Sequence, residues 1–151
     1  KIDNVEAKGI IDTYFAKYKR VKEFMEELKE LASKQEYVET MHGRKVFLPN
    51  ISHSNFQVRS AAERTAINAP IQGTAADIIK IAMINIKEWL IRENIHNVFM
   101  IMQVHDELVF EIEDSDIHRY GDKISDLMGS AEKLSVPLLV NTFSGSNWQE
   151  T

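Results

Sequence analysis

The chain has 151 residues, 44% of them hydrophobic, no cysteine and a formal net charge of −5. That is enough apolar material for one compact domain, and disulfides and thiolate-bound metals are excluded outright. No apolar run nears the roughly 20 residues that a membrane-spanning helix needs, and the opening Lys1-Ile2-Asp3-Asn4 is unlike a cleavable signal, so a soluble, intracellular chain is expected.

Charge is spread unevenly. Residues 1–64 carry 12 Lys and Arg against 10 Asp and Glu, a balance of +2, while residues 65–151 carry 6 against 13, a balance of −7. No acid lies between Met41 and Ala62, where Arg44, Lys45 and Arg59 stand, with Arg64 just beyond. A solvated surface explains this as simply as a phosphate-binding one does.

In chain order, Asp3 suits the cap of a helix in which Ile10, Ile11, Tyr14, Phe15 and Tyr18 recur at helical spacing. Val21, Phe24, Met25, Leu28 and Leu31 mark a second helix, giving helices over about 3–18 and 20–34. The period then falls to two: "YVETMHGRKVFLP" has two strand-like arms around His42-Gly43, where glycine permits the positive φ of a tight turn.

Ser54 and Gln57 form a capping-box pattern for a helix through Arg64 and Ile67, which Pro70 should break or offset. Thr74 and Asp77 resemble a fresh start, followed by Ala75, Ile79, Ala82, Ile86 and Trp89 on one face as far as about Arg92. Residues 97–104 and 108–112 are expected to be strands, with Val98, Met100, Met102 and Val104 sharing a face. A helix over about 115–133 should turn Ile117, Tyr120, Ile124, Leu127 and Ala131 inward, and "VPLLVNTF" should add a last strand. Trp89 and Trp148 are assigned to packing. The order of helices and hairpins predicts an α+β fold, with long helices packed on an antiparallel sheet and a separate β-hairpin near residues 37–48.

The tip of the second hairpin, within "MQVHDELVF", places His105, Asp106 and Glu107 side by side. Exposed polar residues are ordinary at a turn. A tight turn can equally hold two carboxylates out for a hard divalent cation, which removes their mutual repulsion. Phosphoryl transfer uses such acids, because two Mg²⁺ ions about 4 Å apart stabilise the attacking and leaving oxygens. A further acid is poorly supplied here: Asp77 lies at a helix start and Glu111 on a strand.

"MIMQVHDELVFE" resembles motif C of family A DNA polymerases, with complete agreement to Q-V-H-D-E. "RSAAERTAINAPIQGTAADIIKIAM" resembles the same family's helix and loop that touch the primer-template, "YVETMHGRKVFLP" the hairpin before it, and "SGSNW" the closing G-x-N-W. These segments fall in family order along essentially the whole chain.

The resemblance implies that Asp106 ligates catalytic Mg²⁺ with Glu107 as a supporting acid, and that His105 sits near the primer terminus. It places Arg64, Asn68 and Gln72 along the duplex, where minor-groove acceptors test pair geometry rather than sequence. Arg44, Lys45 and Arg59 fit phosphate contacts. Each has a simpler alternative: Asn68 and Gln72 beside Pro70 could satisfy loop backbone groups, Arg64 could pair with Glu63 or Asp77, and His105 could bond across its turn.

The implied partners are primer-template DNA and a deoxynucleoside triphosphate, in a bacterial cytoplasm at the nucleoid, with no membrane. The family's motif A strand, D-Y-S-Q-I-E, and its R…K…Y-G fingers helix are not found in these 151 residues, nor are thumb or exonuclease segments. The implied piece is therefore the C-terminal part of a polymerase domain, with about 1–70 on the fingers side and 71–151 in the palm. Alone it should be inactive and prone to self-association through an unpaired sheet edge. A non-catalytic DNA-binding module and a metal-dependent nuclease are the alternatives. Lys19 follows "YFAKY" where many relatives have proline, which leaves the helix break there open.

Overall fold

The computed structural model describes residues 2–150, except for the Trp148 side chain, so the packing expected of Trp148 lies outside the described residues. The chain forms two compact units, residues 1–74 and 75–151, with the boundary inside one long helix. The α+β class holds, but the strands form two separate two-stranded antiparallel sheets.

In the first unit, α1 (Asn4–Lys17) begins where expected, with the Asp3 carboxylate accepting from the Val5 and Glu6 N–H groups at 2.9 and 2.8 Å. Its apolar positions are real but bury nothing: Ile10, Ile11, Tyr14 and Tyr18 are all exposed. The chain leaves the helix at Tyr18 (φ −111°, ψ 59°), and α2 (Lys19–Gln35) starts at once. Lys19 is thus the first residue of α2, the position proline favours. The break persists without it because Tyr18 supplies the non-helical turn.

Along α2, Leu28 and Ala32 are buried, whereas Val21, Phe24 and Leu31 stay exposed. On its outer face Arg20 grips Glu27 at 2.6 and 3.1 Å and Glu23 at 3.4 Å. Those hydrogen bonds, Glu27 first, hold its pKa above the ordinary value.

The first hairpin pairs β1 (Tyr37–Glu39) with β2 (Lys45–Phe47), Val38 opposite Val46. Gly43 takes φ +77° at the turn, the conformation that its lack of a Cβ allows. Leu28, Ala32, Val38, Leu48, Ile51 and Ala66 form the core of this unit. Each large aliphatic side chain buried there contributes about 1.5–3 kcal/mol.

Helix α3 (Phe56–Arg92) overturns three expectations. Asn55, not Ser54, caps it, its side-chain oxygen accepting from Gln57 and Val58 N–H at 2.8 and 3.3 Å. Asn is at least as good a cap as Ser, and the His53 ring nitrogen accepting from the Asn55 N–H fixes it there. Pro70 does not break the helix, and Thr74 and Asp77 lie in its interior rather than at a new start. Proline cannot donate to the Ala66 carbonyl, an interior cost of about 3 kcal/mol. Packing offsets that cost, because Pro70 and Ala66 are both buried and the first hairpin is bonded to the following turn.

In the second unit Ile79, Ala82, Ile86, Trp89 and Leu90 of α3 are buried, as that stripe requires, although Ala75 is exposed. Trp89 packs edge-on to Tyr120 with ring centroids 5.9 Å apart, in a core with Ile86, Leu90, Val98 and Ile124. The second hairpin joins β3 (Val98–Val104) to β4 (Glu107–Ile112). A turn of 3-10 helix (Asp114–Asp116) leads into α4 (Ile117–Gly129), which ends before Ala131.

The last strand expected in "VPLLVNTF" does not form. Residues 137–143 join no ladder, and Leu139 and Phe143 are 87% and 76% exposed. Apolar composition makes a segment suited to a sheet, but a strand exists only where a neighbour supplies the hydrogen bonds.

Candidate functional site

The polar face of α3 in the first unit is built by helical repetition. Arg64, Asn68 and Gln72 recur every four residues and are all exposed, so they line one side of the helix. Arg64 Nη1 donates to Ser60 Oγ at 3.2 Å, while Glu63 faces Arg59 at 3.7 Å instead. Neither Asn68 nor Gln72 has a side-chain hydrogen bond among the described residues. The loop alternative for them fails because their backbone groups belong to an unbroken helix.

The other three cations are more firmly placed. Arg44 Nη2 donates to the Gly73 carbonyl at 2.9 Å, and the Met41 N–H donates to Thr74 Oγ1 at 2.9 Å. Lys45 Nζ lies 4.3 Å from the centre of the Tyr37 ring. Arg59 Nη1 donates to the His53 carbonyl at 2.9 Å and its guanidinium stands over Phe56. Arg44 and Arg59 therefore secure the hairpin and the start of α3. In the sequence Gly73 is marked only as an isolated glycine inside a helical pattern.

In the second unit His105 and Asp106 form a two-residue turn, since Val104 pairs directly with Glu107. His105 adopts φ +53°, a left-handed conformation uncommon outside glycine. His105, Asp106 and Glu107 are all exposed, with Glu107 as the first residue of β4 rather than part of the turn.

The register also corrects the expected strand face. Val98, Met100 and Gln103 stand opposite Ile112, Phe110 and Leu108, with a bulge between Met100 and Met102. Paired residues share a face, so Val98 and Met100 face the core while Met102 and Val104 point to the other side. The extra residue at the bulge reverses the alternation. Gln103 thereby comes to the same face as Leu108 near the tip, where it is exposed, and its amide nitrogen donates to the His105 carbonyl.

Two carboxylates give a hard oxygen donor set, and among the described residues no third His, Cys, Asp or Glu joins them. This suits Mg²⁺, which is commonly bound by one or two carboxylates together with waters and substrate phosphates, rather than by a closed protein cage. No helix among the described residues is long and apolar enough to cross a membrane.

Residues 1–150 match the model of DNA polymerase family A. Over 149 residues the chain is 46% identical to DNA polymerase I of Pseudomonas aeruginosa and 43% identical to that of Streptococcus pneumoniae, covering 99% of this chain and 16% and 17% of those proteins. DNA polymerase I of Mycobacterium tuberculosis is 45% identical over 148 residues, 98% of this chain and 16% of that protein. The chain thus spans about one-sixth of the length of these relatives. A solved structure, the POL domain of Pol1 from M. smegmatis in complex with DNA primer-template and dNTP, matches with a TM-score of 0.85 at 41% identity, over 91% of this chain and 24% of that one. With the family model matched from residue 1 to 150 and three DNA polymerases I aligned over nearly the whole chain, this protein belongs to DNA polymerase family A.

Proposed function

We propose that the chain works as the later part of a polymerase domain, about 1–70 on the fingers side and 71–151 in the palm, within a bacterial enzyme that extends primers on a DNA template. The observation that carries this reading is the exposed Asp106–Glu107 pair on a tight hairpin, in a chain of family A. The likeness to a solved domain holding primer-template and dNTP supports the choice of partners, and the same reading places the work at the cytoplasmic nucleoid.

Asp106 is assigned as the Mg²⁺ ligand and Glu107 as the supporting acid. Bound Mg²⁺ would neutralise charge developing on the transferred phosphoryl group and its leaving group. The hairpin's part is to keep both carboxylates rigid and in water's reach, so that no reorganisation is needed during reaction. His105 is assigned to the primer terminus. Arg64, Asn68 and Gln72 are assigned to the duplex, with the two uncharged side chains offering donors to minor-groove acceptors common to all base pairs. Arg44, Lys45 and Arg59 are assigned to phosphates, Arg44 and Arg59 also stiffening the structure that presents them.

The test is primer extension by the full-length enzyme carrying Asp106→Asn. Nucleotide addition should fall at least about 100-fold, as for loss of a group that stabilises transition-state charge, with primer-template Kd within twofold. Activity equal to the parent's would overturn the metal-ligand assignment, and a large loss of DNA affinity would make Asp106 a binding group instead.

A further inference from the structure

We propose that Gln103 is a positioning residue that holds Asp106 in its working orientation, an inference that rests on Asp106 being the metal ligand. A two-residue turn with its first residue left-handed is normally a glycine arrangement, and a non-glycine residue there costs about 1–2 kcal/mol. His105 nonetheless holds φ +53°. Histidine enters this region more readily than most residues, and a contact that bridges the turn offsets the remaining cost.

The Gln103 amide nitrogen donates to the His105 carbonyl, bridging the turn from the strand before it. That carbonyl belongs to the same rigid peptide plane as the Asp106 N–H. Fixing one end of the plane fixes where the Asp106 nitrogen and Cα lie, and with them the point from which its side chain departs. The bulge at Ile101 is what makes this contact available, because it puts Gln103 opposite Leu108. In an unbulged ladder continuing from Met100 and Phe110, Met102 would take that place, and a thioether has no N–H to donate.

The amide, not merely a side chain of that size, is therefore required. Glutamate has the same shape but can only accept when ionised, and it would face the carbonyl oxygen with like charge. Methionine fills similar space with no polar group.

The test uses the full-length enzyme with Gln103→Glu, Gln103→Met and, in parallel, Asp106→Asn. Steady-state primer extension reports kcat and KM. Binding of Mn²⁺, titrated by electron paramagnetic resonance without DNA or nucleotide, reports the carboxylate site directly. Amide hydrogen exchange across 105–107 reports the turn. Both Gln103 variants should lose about 10- to 100-fold in kcat and weaken Mn²⁺ binding by a comparable factor, the usual cost of removing a group that orients a ligand. KM for nucleotide should change less than threefold, and the turn amides should exchange faster. A purely structural role would lower the melting temperature and leave kcat and Mn²⁺ affinity at parental values, and that result overturns the proposal. Parental activity in Asp106→Asn overturns the metal-ligand reading and this inference with it. An inactive Asp106→Asn beside a fully active Gln103→Glu overturns this inference alone.

Discussion

Thr40 occupies the space that a side chain on Gly73 would need: a Cβ built at Gly73 would stand 2.6 Å from Thr40 Cγ2, far inside contact distance. Thr40 is 4% exposed and its hydroxyl accepts from the Arg44 N–H at 3.2 Å, so it cannot step aside freely. Gly73→Ala should destabilise by about 1–3 kcal/mol through overpacking, against a gain of at most about 1 kcal/mol from removing a helical glycine. Thermal melting of the variant should fall by a few degrees, and Thr40→Ser, which deletes the opposing methyl group, should restore most of the loss. An unchanged melting temperature in Gly73→Ala would refute the close approach.

Pro70 offers the opposite experiment. Replacing it with alanine returns an N–H to the middle of α3 and removes a steric clash, together worth about 3 kcal/mol. Part of the buried ring is lost, at about 1–2 kcal/mol. Pro70→Ala should therefore raise stability by about 1–2 kcal/mol, measured by urea denaturation. Destabilisation would mean that the ring contributes more by packing than it costs the helix.

Gln72→Ala and Asn68→Ala remove exposed side chains that bond nothing within the described residues, so melting temperatures should stay within about a degree of the parent's, as for surface substitutions. In the full-length enzyme both should weaken extension from correctly paired ends, by about 5- to 150-fold for one lost hydrogen bond of about 1–3 kcal/mol. Discrimination against mispaired ends should change as well. Parental kinetics in both would remove this face from the DNA assignment.

Purified alone, the 151-residue chain should give no primer extension above an Asp106→Asn control. The β3–β4 sheet has only two strands among the described residues, and Phe99 and Ile101 are exposed along it. Unpaired apolar edges invite pairing, so sedimentation should reveal concentration-dependent association. Any DNA binding should weaken steeply with salt, with a log–log slope no steeper than about −4 for contacts by Arg44, Lys45, Arg59 and Arg64. Extension by the isolated chain would show that it already contains a complete site.

Sequence was most informative where the signal is local. The Asp3 cap, the left-handed glycine at position 43, the paired helices on either side of Tyr18 and the buried stripe from Ile79 to Trp89 all depend on neighbours within a few residues. The same holds for the acid pair at the tip of the second hairpin, because alternating apolar arms with a polar pair between them leave few other folds for that stretch.

Tertiary structure decided the rest. Proline's cost is a local quantity, but whether a helix survives it depends on burial around Pro70 and on what braces the turn that follows, where Thr40, Met41 and Arg44 reach Gly73 and Thr74 from about thirty residues upstream. The exposed stripe of α1 and the unpaired segment 137–143 have the composition of buried elements, and composition does not say whether a partner is there to bury them. The bulge at Ile101 has no signature in residue type, since it arises from how two strands settle their register. By shifting the ladder one residue it moved Met102 and Val104 off the core face and brought Gln103 within reach of the turn that presents Asp106.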